Sequence, residues 1–173
     1  MEYRILRSKR RTLAIELQRD ASLLVRAPYA TPLSEIEGFV AEHAAWIESK
    51  RRRLEALSLP PLTKEEESGL RVRAVVDLPA RTAAWAERMG IDYAGVKITS
   101  ARQRLGSCNS RGGIAYSFRL MQYPDEVIDY VVVHELAHRK EMNHSARFYA
   151  IIERYLPDYR RRIERMKSWP RAL

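Results

Sequence analysis

The chain has 173 residues, and its 31 Lys and Arg against 22 Asp and Glu give a formal net charge of +9. This length fits one domain or two small joined domains with a real core, and the excess of arginine favours anionic partners such as nucleic acid or phosphorylated molecules. A single cysteine excludes an internal disulfide bond, and no apolar run approaches the ~20 residues that span a membrane. Residues 1–4 begin no apolar signal sequence, so we expect a cytoplasmic protein without membrane contact.

Alternating apolar and polar residues predict short antiparallel strands over residues 3–27, most clearly at Leu13, Ile15 and Leu17. Residues Arg19–Ser22 are predicted to form the turn between the last two of these strands. The first turn carries a basic cluster, which suits contact with phosphate but equally suits plain solvation: Arg7, Lys9, Arg10 and Arg11.

A long helix is predicted next, with Thr31 as its N-cap and Pro32 at its first position. Its apolar stripe continues to about Leu57, and the basic run Lys50–Arg53 suits the negative end of the helix dipole. His43 stands alone in this charged helix, and we expect it to be a surface residue without a role.

Two adjacent prolines, Pro60 and Pro61, break the helical pattern and predict a boundary between residues 1–61 and residues 62–173. A second helix is predicted from Lys64 to Gly90, and its internal Pro79 should kink or interrupt it.

The remaining pattern predicts strands at Val96–Ser100 and Ile114–Leu120, with a hairpin turn at Arg111–Gly113 because glycine accepts positive φ. Pro124 and the two carboxylates after it predict the start of a buried helix, and Ser145 is predicted to cap a helix over 146–155. The expected fold class is α+β, with an N-terminal antiparallel β subdomain and long helix followed by a helical domain with a small antiparallel sheet.

The motif His134-Glu135-Leu136-Ala137-His138 predicts a metal centre. Two histidines four residues apart lie about 40° apart on one helical face and roughly 6 Å apart along the axis, so both can reach one ion. Glu135 projects to another side, where it can take a proton from water. His144 is the predicted third ligand once the chain has turned at Asn143. Three protein ligands leave a fourth position open, as a catalytic site requires.

Three imidazoles suit one divalent cation, Zn²⁺ in the first place, while Ni²⁺, Co²⁺, Mn²⁺ and Mg²⁺ are the other candidates. The alternative without a metal is a pair of solvated histidines on a surface helix. A non-enzymatic alternative is a basic nucleic-acid-binding module with a closed structural metal site, for which Cys108 is the candidate fourth ligand. Six cations near the motif in sequence are candidate contacts for an anionic substrate: Arg102, Arg104, Arg111, Arg119, Lys140 and Arg147.

The segment from Arg104 to Asp158 resembles the YgjP-like family of metal-dependent hydrolases, which are relatives of the SprT-like and other small zincin metallopeptidases. The resemblance rests on Arg104–Cys108, Asp129–His138, Asn143–Ser145 with Phe148, and Pro157–Tyr159. It implies a zincin-like C-terminal domain of the minigluzincin type, in which the three histidines bind the metal and Glu135 is the catalytic base. The family usually has Trp at Leu105 and Asn-Trp-Arg at residues 117–119, so the chain departs from its pattern there.

The resemblance implies either of two activities. One is a nucleoside triphosphate pyrophosphatase that cleaves UTP to UMP and pyrophosphate, which we place slightly ahead because the cations near the motif favour an anionic substrate such as a nucleoside triphosphate. The other is a zinc metallopeptidase acting on polypeptides, which needs an edge strand beside the metal. Ile114–Phe118 is the candidate for that strand. Nonspecific contact with nucleic acid is a third possible interaction.

Overall fold

The computed structural model describes residues 2–18 and 22–172, and the chain divides into two compact units, Met1–Leu59 and Pro60–Leu173. The first unit contains a three-stranded sheet with the order β1-β3-β2. Its strands are β1 (Arg4–Ser8), β2 (Ala14–Leu17) and β3 (Leu23–Pro28). β3 runs antiparallel to β2 and parallel to β1.

The predicted antiparallel pairing is therefore confirmed for β2 with β3 and wrong for β1. Each of the two connections reverses the chain direction, so β1 and β3 run the same way and become parallel once β3 takes the central place. β3 has the clearest alternation of burial, with Leu23, Val25 and Ala27 facing the core. The predicted turn at Arg19–Ser22 lies mostly outside the described residues.

The predicted single long helix is wrong, because two helices, α1 (Leu33–Glu42) and α2 (Ala44–Leu57), meet at His43. Nδ1 of His43 lies 2.8 Å from the carbonyl oxygen of Phe39, which is the oxygen that the backbone N–H of His43 would use in a continuous helix. That N–H bonds to Ala41 instead. His43 is half-buried rather than a plain surface residue, since its ring also lies 4.3 Å from that of Phe39.

The start of α1 also differs from the prediction. Pro32 occupies the N-cap position instead of Thr31, and no side chain caps the helix. The core of this unit consists of residues from α1 and α2 against β3: Ile36, Val40 and Ile47 with Leu23, Val25 and Ala27. A two-residue strand, β4 (Ser58–Leu59), ends the unit.

The second unit opens with α3 (Lys64–Met89), a helix of 26 residues. Thr63 and Glu66 form a reciprocal capping box, with Glu66 N donating to Thr63 Oγ1 over 3.2 Å and Thr63 N donating to Glu66 Oε2 over 2.8 Å. The helix continues through Pro79 without the predicted interruption. Leu78 before the proline and Thr82 after it are both fully buried, and their packing anchors the helix on both sides of Pro79.

A second three-stranded sheet follows, with the order β5-β7-β6. Its strands are β5 (Gly95–Thr99), β6 (Gly106–Cys108) and β7 (Gly113–Ser117). The hairpin between β6 and β7 is confirmed, with Gly112 at φ +88°. The predicted antiparallel sheet is wrong for β5, which runs parallel to β7.

The predicted strand over Ile114–Leu120 ends early. Its last part is a 3₁₀ helix, Phe118–Gln122, because Ser117 caps that turn by accepting a hydrogen bond from Arg119 N. The remaining elements are α4 (Asp125–Ala137), α5 (Ala146–Tyr155), α6 (Tyr159–Ser168) and β8 (Arg171–Ala172). The expected fold class, α+β, is confirmed.

α4 lies in the core of the second unit, where its valine run is buried and helical. It ends at Ala137, so the helix is already finished well before Asn143, the residue at which the chain was predicted to turn. Arg81 of α3 ties down its first turns by pairing with Asp125 and, over 2.9 Å, with Asp129. Trp85 Nε1 donates to the same Asp129 carboxylate over 3.1 Å, which fixes the helix that carries the metal motif. Among the described residues, none of the helices has the length and hydropathy that a membrane crossing requires.

Candidate metal centre

The three predicted ligands come together in space. Ring centroids of His134, His138 and His144 stand 4.8–5.0 Å apart, which is close to an equilateral triangle. Nε2 of His134 lies 3.1 Å from Nε2 of His144, and one nitrogen from each of the three rings lies within 4.8 Å of the others. Two nitrogens bound at ~2.05 Å to one tetrahedral ion would be about 3.3 Å apart, so the arrangement fits a single cation.

The ring of Phe148 packs against all three imidazole rings. Its own ring is fully buried and lies 4.9 Å from that of His134, 4.6 Å from His138 and 4.8 Å from His144. The position of Phe148 depends on the start of α5, where its backbone N donates to Ser145 Oγ over 3.4 Å, as the capping prediction expected.

The outward-facing nitrogens of two ligands are held by neighbours on the protein. The hydroxyl of Tyr130 lies 3.4 Å from Nδ1 of His134, and the carbonyl oxygen of Glu141 lies 3.2 Å from Nδ1 of His138. Such partners fix the ring and leave Nε2 for the metal. Burial, together with the charges of His138 and His144, lowers the pKa of His134 to about 3, so the ring is in the neutral form that binds metal. The residues present therefore fit a divalent cation.

We expect Tyr130→Phe to weaken Zn²⁺ binding by about 10–100-fold, because the substitution removes only the hydroxyl that orients His134. Affinity would be measured by competition with a chelator of known strength. Tyr155→Phe is the matched control, since the Tyr155 hydroxyl makes a bond of the same 3.4 Å length to Met89 O. Equal affinities for the two variants would contradict the orienting role of Tyr130.

Glu135 is a buried residue that does not belong to the histidine cluster. It is 5% exposed, and burial raises its pKa to about 8 although the charge of Arg104 works in the opposite direction. The backbone of Gly106 in β6 lies directly against it. A Cβ atom at position 106 would overlap Glu135 Oε1 and lie 2.8 Å from Cδ. Glycine at position 106 is therefore required for Glu135 to keep its place.

We expect Gly106→Ala to lower kcat by roughly 100-fold, because the added methyl must displace the Glu135 carboxylate by a distance that matters for proton transfer. Zinc content, measured on the same preparation, should not change. Gly69→Ala is the control, because a Cβ there meets nothing within 4 Å. A Gly106→Ala protein as active as the control would show that Glu135 does not depend on this close approach.

The six predicted substrate cations differ in burial and in the partners that they contact. Arg104 is the one whose charge acts on Glu135. Arg119 is only 7% exposed, and its Nη2 donates to Glu67 Oε1 over 2.8 Å, so it serves an interior ion pair. Arg104 is exposed, and so are the other four side chains: Arg102, Arg111, Lys140 and Arg147. Their contact with substrate stays a prediction.

Cys108, the candidate fourth ligand of a structural site, lies on β6 and donates through Sγ to Asn109 O over 3.5 Å. Among residues 2–18 and 22–172, the cluster of potential ligand atoms consists of the three histidines, and Cys108 is outside it. Burial raises the pKa of its thiol, and the charge of Glu135 adds to this effect. Among the described residues, no fourth protein ligand joins the three histidines.

A three-histidine cluster beside a separate buried carboxylate defines a metal-dependent hydrolase. The chain belongs to the YgjP-like metallopeptidase domain family, whose model matches residues 11–75 and 62–169. This confirms the resemblance inferred from the sequence.

Two solved structures are similar over about half of the chain. The crystal structure of the metallopeptidase zymogen of Pyrococcus abyssi abylysin is 20% identical, has a TM-score of 0.48, and covers 51% of this chain and 90% of that chain. The metallopeptidase zymogen of Methanocaldococcus jannaschii jannalysin is 17% identical, has a TM-score of 0.45, and covers 52% of this chain and 96% of that chain. No curated protein gives a significant match.

Proposed function

We propose that the protein is a zinc metallopeptidase that cleaves polypeptides bound as an additional strand along β6. The observation that carries the proposal is the contact between Gly106 of β6 and the carboxylate of Glu135. A strand placed beside the catalytic carboxylate can align a substrate chain through main-chain hydrogen bonds. The family to which the chain belongs supports the same substrate class.

β6 has one edge available for such a strand. It pairs with β7 on one side, and among the described residues no strand pairs with its other side. The predicted substrate strand, Ile114–Phe118, is a wrong assignment. Most of it forms β7, which lies in the middle of the sheet and has both edges occupied.

Backbone groups on β6 alternate between β7 and the open edge. Ser117 N donates to Leu105 O over 2.8 Å, and Asn109 N donates to Gly113 O over 3.0 Å, so Leu105 and Asn109 bond towards β7. Because the bonds of an antiparallel ladder alternate, the main-chain groups of Gly106 and Cys108 face the open edge.

In this mechanism the strand, the carboxylate and the histidines have separate roles. β6 holds the peptide, and the buried Glu135 takes a proton from the attacking water and returns it to the leaving nitrogen. His134, His138 and His144 would hold the zinc ion, which supplies Lewis-acid polarisation of the scissile carbonyl when bound. Phe148 and Tyr130 keep the imidazoles in place.

The order of the two predicted activities is reversed by these findings. A triphosphate needs several cations around the reacting phosphorus, and the one buried candidate, Arg119, is already paired with Glu67, while the other five candidates are exposed. The family description and the edge strand both support a polypeptide instead. Pyrophosphatase activity becomes an alternative outcome of the activity test.

Cys108→Pro tests the substrate strand. Proline removes the N–H that faces the open edge but leaves the bonds to β7, so we expect KM for a peptide to rise by about tenfold, the loss of one good hydrogen bond. Cys108→Ala is the matched control, because it keeps the N–H and should retain both zinc and activity. Two variants with the same KM would contradict binding along β6. A Cys108→Ala protein that loses zinc would support the structural-site alternative.

A further inference from the structure

One side chain, that of Arg139, joins the end of the metal motif to two loops of the second sheet. Arg139 directly follows His138 in the chain. Its Nε donates to Asp92 O over 3.1 Å, in the loop between α3 and β5, and its Nη1 donates to Ser110 O over 3.2 Å, in the turn between β6 and β7. Hydrogen bonds from a charged donor are stronger than those between neutral groups, so this guanidinium links the motif firmly to both loops.

The guanidinium of Arg139 also lies against the backbone of Gly112, in the same turn. A Cβ atom at position 112 would be 2.9 Å from Arg139 Cζ and 3.0 Å from its Nε, so only a glycine admits the guanidinium at this distance. Gly112 O accepts a hydrogen bond from Ala94 N over 2.9 Å. The two loops that Arg139 contacts are therefore bonded to each other as well, and the three segments form one junction.

β6 is attached to the metal motif at two places. Gly106, at the start of the strand, packs directly against Glu135. The turn that follows the other end of the strand, Cys108, is held by Arg139. Two attachments fix the direction of a strand, whereas a single attachment would leave the hairpin free to pivot about it. The direction of β6 relative to Glu135 therefore depends on Arg139.

We propose that Arg139 is a positioning residue, which holds the Cys108 end of β6 so that a peptide bound along the open edge is aligned with Glu135. The inference rests on the proposed function, because it concerns the strand along which the peptide binds. Loss of Arg139 releases this end of β6 but leaves the metal ligands in place, since Glu141 O holds the ring of His138 separately. The effect of Arg139 on the reaction therefore passes through β6 and not through the metal.

Arg139→Gln tests this role, because glutamine is shorter, carries no charge and cannot reach both carbonyls. A peptide would be assayed with the zinc-loaded protein in a short form and in forms extended by two residues on either side of the scissile bond. In the unmodified protein, the extension that pairs with Cys108 should raise kcat/KM by about tenfold, the gain of one good hydrogen bond. In Arg139→Gln this gain should disappear at unchanged zinc content, whereas a protein that is merely less stable would lose activity on all forms alike. Arg88→Gln is the matched control, because Arg88 is an exposed arginine that lies over the ring of Trp85, and it should keep the gain.

Hydrogen exchange of the same zinc-loaded proteins gives a readout that needs no peptidase activity. Asn109 N and Gly112 N, which donate to main-chain oxygens within the hairpin, should exchange about tenfold faster in Arg139→Gln than in Arg88→Gln. Equal exchange would overturn the anchoring of β6. A gain that persists in Arg139→Gln, or one that is absent from the unmodified protein, would overturn the alignment. If the unmodified protein cleaves no peptide, the proposed function fails and the alignment with it, while the exchange rates still decide whether Arg139 anchors β6.

Discussion

Glu135→Gln is expected to lower turnover by about 10³–10⁴-fold, which is the upper range of what a general base contributes. The amide has nearly the same shape as the carboxylate, so the close packing against Gly106 is kept. It cannot accept a proton from water, however, and the reaction loses the group that both activates the nucleophile and protonates the leaving nitrogen. Zinc content should remain at one ion per chain, because Glu135 is not a ligand.

The control for this change is Glu141→Gln. The Glu141 side chain accepts a hydrogen bond from Asn143 N, which glutamine can also do, and its backbone carbonyl still reaches His138. Turnover of this control should match that of the unmodified protein in the same peptide assay. Residual activity of Glu135→Gln above one-tenth of the control would remove Glu135 as the base.

His144→Ala is expected to weaken zinc binding by more than the 10–100-fold typical of an outer-shell partner, because a direct ligand is lost. The fold should tolerate the change, since His144 is exposed and lies between α4 and α5. Metal affinity would be measured by isothermal titration after dialysis against a chelator. His43→Ala removes the fourth histidine of the chain, which lies between α1 and α2, and should bind zinc normally. Equal affinities in these two variants would show that His144 is not a ligand.

The clustering of the three histidines could be predicted because the spacing within the motif is local. Four residues on a helix fix the relation of His134 to His138, and only His144 depends on a turn. Tyr130 was missed although its signal was present, since it stands four residues before His134 on the same helical face. Phe148 entered only as a motif residue, and its contact with all three rings needed the fold.

Other features depend on residues that are far apart in the sequence. Gly106 meets Glu135 across 29 positions, and Arg119 meets Glu67 across 52. No periodicity links such pairs, so neither the required glycine nor the buried arginine could be foreseen. The order and direction of the strands could not be predicted for a similar reason. Alternation identifies a strand and its buried face, but which neighbour it takes depends on packing of the whole sheet.

The most direct test is a parallel assay of zinc-loaded protein against an unstructured polypeptide and a nucleoside triphosphate, with Glu135→Gln as the blank and mass spectrometry of the products. We predict internal cleavage of the polypeptide by the unmodified protein and none by the blank. An intact polypeptide at full zinc occupancy, or cleavage that persists in Glu135→Gln, would contradict the account, and hydrolysis of the triphosphate alone would replace the peptidase with a pyrophosphatase.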